Sequence, residues 1–122
     1  MKKIRGLQVV FFAYAVVVIL FSIMPAQDIN DYGFLDKIVH FAMYFLLAFL
    51  ALAAFQSTWA RILSLIFAYG LGFFLEWSQG FLDGRTPTIG DNLANLIGAT
   101  LGVIAYFVWR NLRESRVKEP AE

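Results

Sequence analysis

Cysteine is absent, so the chain has no disulfide framework, thiolate nucleophile or thiolate metal site to offer. Charge is scarce as well. Asp, Glu, Lys and Arg make up 16% of the 122 residues, whereas 60% are hydrophobic. A soluble domain of this size needs a surface built largely from charged side chains, and this composition cannot cover one. Histidine occurs once, at His40. No internal repeat or low-complexity segment is present.

What the chain does have is long apolar runs. Gly6 to Gln27 is uncharged, as is Ile38 to Ala60; Ile62 to Leu82 contains one carboxylate, Glu76; Asn92 to Trp109 is the fourth run. Stretches of this length and polarity are the signature of membrane spans. The expected spans cover about 6–25, 37–56, 60–80 and 91–110, within a single domain of residues 1–122. All four are predicted to be helices, because backbone groups in lipid must be satisfied within the segment and no alternating barrel pattern appears. The fold class is therefore all-α, an integral membrane four-helix bundle. The N-terminal Met-Lys-Lys-Ile-Arg would suit a signal peptide, but the apolar run after it is too long and lacks a small-residue cleavage pair before Pro25. It is read as an uncleaved first span that Pro25 ends.

Orientation follows from the placement of Lys and Arg. Eight of the ten (Lys2, Lys3, Arg5, Arg61, Arg110, Arg113, Arg116 and Lys118) fall on one side of a four-span chain, and Lys37 and Arg85 on the other. The positive-inside rule then predicts both termini and the Gln56–Arg61 turn to be cytoplasmic. The connections around 27–36 and 83–90 would face outward. The basic residues after Trp109 are read as this orientation signal rather than as a nucleic-acid site.

Polar residues inside apolar spans are costly and tend to face the bundle interior. Asp36, His40 and Tyr44 recur every four residues, which stacks them on one helix face. Tyr69, Gly72, Glu76 and Gln79 form a second stripe, and Asp91, Asn95, Gly98 and Gly102 a third. The small residues of the last stripe permit close helix approach. By helical rise, His40, Glu76 and Asn95 share one layer beneath the outer surface, with Arg85 on the loop above. Structural readings stand beside the functional one. Glu76 would pair with Arg85, Lys37 or His40 and hold helices together, and His40 would be an interhelical hydrogen-bonding group. Asp36 would be an N-cap, and Asp91 would close a capping box with Thr88.

In order, Asp36-Lys37-x-x-His40-Phe41-x-x-Tyr44, Gly72-x-x-x-Glu76-x-x-Gln79, Arg85 and Asp91-x-x-x-Asn95-x-x-Gly98-x-x-x-Gly102 resemble the VanZ-like family of small bacterial membrane proteins. The resemblance runs from Asp36 to Gly102. It implies a VanZ-like domain in the bacterial cytoplasmic membrane, in a family named after a member that lowers susceptibility to the lipoglycopeptide teicoplanin. It supplies no reaction.

Three functions compete. In the first, a membrane enzyme acts on a lipid-linked or cell-envelope substrate, with His40 and Glu76 exchanging a proton and Asp36 orienting His40. Arg85 would receive a phosphate or carboxylate, and Lys37, Tyr44, Gln79, Asp91 and Asn95 would complete the ligand site. In the second, the same residues bind an envelope lipid or cell-wall precursor without chemistry. The third is a small proton-coupled transporter, ranked last because Glu76 lies near the outer end of its span. A metal site from Asp36, His40, Glu76 and Asp91 is disfavoured by the single histidine, and no cofactor is called for.

Overall fold

The computed structural model describes residues 2–23, 33–79 and 89–118, with side chains over 5–22, 37–78 and 92–118. Four helices follow one another: α1 (Lys2–Ile23), α2 (Gly33–Ala54), α3 (Thr58–Gln79) and α4 (Ile89–Lys118). Each of the four is long and apolar enough to cross a membrane. The first three have 22 residues and α4 has 30. At 1.5 Å per residue these lengths are about 33 Å and about 45 Å, so roughly three turns of α4 exceed a hydrocarbon core of ~30 Å.

Their surfaces are what a lipid solvent requires. On α1, Val9, Val10, Phe12, Val16, Val17, Leu20 and Phe21 are exposed, while Phe11, Ala15 and Val18 are buried. In water such a face would demand a partner; in a bilayer it meets acyl chains.

Helix α2 is the centre of the bundle and packs against each of the other three, most extensively against α4. Among the described residues α1 and α4 do not meet. Helices α2 and α4 run in the same direction. Gly98 lies on Phe41, Gly102 on Phe45, and Tyr106 packs edge-on to Phe49 with ring centroids 5.7 Å apart, so the register advances four residues at a time on both helices. A Cβ on Gly98 or Gly102 would collide with the backbone carbonyl oxygen of Phe41 or Phe45. Lipid supplies no hydrophobic drive to press helices together, so close van der Waals contact through small residues must do it. The buried alanines Ala48, Ala51, Ala54, Ala68 and Ala99 extend the same device through the core.

The turn between α2 and α3 needs only three residues, 55–57. Ser57 caps α3: its hydroxyl accepts from the Ala60 amide at 3.1 Å, and its carbonyl accepts from the Arg61 amide at 3.0 Å. Arg61 is drawn back into the bundle. Its Nε donates to the Phe55 carbonyl at 2.7 Å, and its Nη2 donates to the Tyr106 hydroxyl at 2.9 Å, with the guanidinium 5.5 Å from the Tyr106 ring centroid. One side chain thus satisfies a carbonyl past the end of α2 and ties the turn to α4. The sequence shows Arg61 as an orientation charge; the structure adds this clasp.

Candidate functional site

At the opposite end of the bundle from Arg61, three helices bury polar side chains at one level. His40 stands seven residues into α2 and Asn95 six into α4, each about 10 Å from the helix start, while Glu76 is in the last turn of α3. All three are nearly inaccessible: His40 is 4% exposed, Asn95 6% and Glu76 1%.

His40 Nδ1 and Asn95 Oδ1 lie 2.9 Å apart in a buried hydrogen bond. A carbonyl oxygen can only accept, so the imidazole carries its proton on Nδ1 and presents Nε2 as the second position of the ring. The parallel packing of α2 and α4 makes this bond possible, because Phe41 against Gly98 brings the preceding turns together as well. The sequence stripes place Asn95 among neutral hydrogen-bonding residues; the structure makes it the group that holds the catalytic candidate.

Tyr44 lies one turn deeper on the same face of α2 and is 1% exposed. A Cβ on Gly72 would come within 3.0 Å of the Tyr44 ring and 3.5 Å of the Asn95 Cβ, so Gly72 is the gap in α3 that admits both. Glu76 lies one turn further along the same stripe of α3 and is buried with them. His40, Tyr44, Gly72, Glu76 and Asn95 are therefore one buried group drawn from three helices.

Beside this group a cleft of about 290 Å³ runs between α3 and α4. Tyr44, Gly72 and Asn95 line it, and Phe73, Leu93 and Leu96 line it from the bundle surface. Phe73 is 72% exposed and the two leucines about half, so the cleft opens sideways toward lipid. At its deeper end Thr100 donates to the Leu96 carbonyl at 2.8 Å, which leaves the Tyr69 hydroxyl as the donor in its 2.8 Å contact with Thr100.

Other candidates stand apart. Lys37 is exposed and does not join the buried group. Ser78, two residues beyond Glu76 and not among the candidates read from sequence, donates its hydroxyl proton to the Leu75 carbonyl at 2.9 Å. Asp36, Gln79 and Asp91 belong to α2, α3 and α4, but their side chains, like the whole of Arg85, lie outside the described residues. Among the described residues no three imidazole or carboxylate groups converge as a metal site would need.

Helix α1, which carries none of the candidates read from sequence, contributes two polar groups. Tyr14 donates to the Met43 carbonyl at 2.9 Å, and Ser22 is buried near the end of α1. The signal for Ser22 was its spacing: Phe11, Ala15, Val18 and Ser22 fall on one buried stripe.

A family model described as VanZ/LLP1 matches residues 4–110. The match takes in α1, which the ordered motifs from Asp36 to Gly102 leave out. No curated protein and no solved structure matches the chain. With its four candidate membrane spans and a family match over most of its length, the chain belongs to the VanZ/LLP1 family of multi-pass membrane proteins.

Proposed function

We propose that this protein binds the polar head of a lipid-linked or cell-envelope amphiphile at the outer leaflet of the bacterial cytoplasmic membrane, and that His40 and Glu76 move a proton there. The observation that carries this reading is the continuity of the buried polar group with a cleft that opens to lipid. A water-soluble ligand needs no lateral entrance, whereas an amphiphile in the leaflet does. The positive-inside rule supports the orientation, with the Arg61 end and both termini in the cytoplasm and the His40 end outside.

In this site Asn95 holds the His40 ring through Nδ1, and Nε2 is the position for a proton in transit. Glu76 is the second proton-carrying group, and Tyr44 and Asn95 supply neutral hydrogen bonds to the head group. Arg85, which follows α3 in the sequence, would receive a phosphate or carboxylate of that head group. Altered susceptibility to a lipoglycopeptide such as teicoplanin would follow from a changed envelope lipid rather than from contact with the drug.

The test compares the lipids of cells lacking the protein with those of cells carrying wild type or Glu76→Gln at equal membrane abundance. A lipid species that changes on deletion and is restored by wild type but not by Glu76→Gln is expected. An identical lipidome in all three strains would refute the reading.

A further inference from the structure

We infer that the α3–α4 cleft is a binding site for one hydrocarbon chain of an amphiphile whose head lies at His40, Glu76 and Asn95. This inference rests on the reading above and deepens it by naming the part of the ligand that the membrane-embedded wall recognises. At about 290 Å³ the cleft sits just below the roughly 300–1,000 Å³ range of small-molecule sites, room for a segment of a single chain and too small for a sugar–peptide head. Its lining is mostly apolar, its two asparagines lie where such a chain would join its head, and the Tyr69 hydroxyl at the deeper end is engaged with Thr100. Asn92 and Asn95 stand at the end nearest His40, while Ala68 and Ala99 lie deeper.

The cleft also runs the right way. From Asn92 to Ala99 it follows α4 for about 10 Å along the helix axis, the direction in which lipid tails run. A shallower apolar groove shares Tyr69 and Phe73 with it and continues along α3 to Ile62, a further stretch of about 10 Å beyond Tyr69. Gly72 keeps the floor deep, since a Cβ there would press on the Tyr44 ring at 3.0 Å. Among the described residues none of α1 lines the cleft, so its two walls are α3 and α4 with Tyr44 of α2 behind.

The experiment uses the full chain reconstituted in phosphatidylcholine–phosphatidylglycerol vesicles. In one arm the vesicles carry a polyprenyl phosphate with a diazirine in its tail, in the other a phosphatidylglycerol with a diazirine in one acyl chain. After irradiation, labelled positions are mapped by peptide mass spectrometry. At least one probe is expected to label Phe73, Leu96 or Ala99 about fivefold more than the exposed α1 residues Val9 and Val16, and the arm in which it does so identifies the chain type. Leu96→Trp, at a half-exposed position on the rim, should remove that preference, whereas Leu101→Trp on the same helix but off the cleft should keep it. Thermal melting of both variants checks that the bundle is intact. Equal labelling of cleft and α1 by both probes means ordinary boundary lipid and overturns the inference, as does a preference that survives Leu96→Trp in a folded protein. Cleft labelling together with an unchanged Glu76→Gln lipidome would keep the chain site and remove the envelope-ligand reading; the reverse pattern would do the opposite.

Discussion

Replacing Gly98 by alanine puts a methyl group where α2 and α4 leave room for a hydrogen. The new Cβ would lie 3.0 Å from both the Cα and the carbonyl carbon of Phe41, and closer still to its oxygen. Ordinary carbon contacts are about 3.5–4 Å, so the two helices must part by roughly 0.5–1 Å. The His40–Asn95 bond spans the same interface one turn away. Stretched from 2.9 Å by that amount it leaves hydrogen-bonding range. Overpacking of this kind costs about 1–3 kcal/mol. The lost bond adds about 1 kcal/mol, since such bonds in membrane bundles average ~0.6 kcal/mol and leaving a buried group unsatisfied costs more. Gly98→Ala should therefore destabilise the bundle by about 2–4 kcal/mol. Gly102→Ala meets Phe45 in the same way and should cost a similar amount. Because the first methyl already separates the helices, the double variant should cost clearly less than the sum. Unfolding in bicelles measures all three, and the ¹⁵N shifts of the His40 ring report the bond to Asn95. A Gly98→Ala protein within about 0.5 kcal/mol of wild type, with unchanged His40 shifts, would refute the backbone-to-backbone packing of α2 on α4.

Arg61→Lys should destabilise the fold by about 1–2 kcal/mol, because one ammonium cannot reproduce the fork that reaches both Phe55 and Tyr106; wild-type stability in the same unfolding assay would reduce Arg61 to a charge. If His40 and Glu76 move a proton as a unit, His40→Gln and Glu76→Gln should each abolish the lipid phenotype, and the double variant should add little. Activity retained in the double variant at matched abundance would leave both residues a structural role. A C-terminal alkaline phosphatase fusion should be inactive in intact cells, and an active one would reverse the orientation inferred from the positive charges.

The four helices were legible in the sequence because hydropathy is a local property: a run too apolar for water and long enough for a bilayer has few alternatives to a spanning helix. The faces were legible for the same reason. His40 and Tyr44 on α2, Gly72 and Glu76 on α3, and Asn95, Gly98 and Gly102 on α4 recur at helical spacing, and all seven are buried. Spacing could not say which stripe meets which, since that depends on how helices far apart in sequence pack. Tertiary structure set α2 parallel against α4 at the two glycines, and that register gave His40 its bond to Asn95. It folded Arg61 onto Tyr106, 45 residues away, where the sequence alone shows a basic residue beside a turn. It also left the α3–α4 seam open to lipid beside the polar group, and a cleft is a property of helices in contact rather than of any one of them.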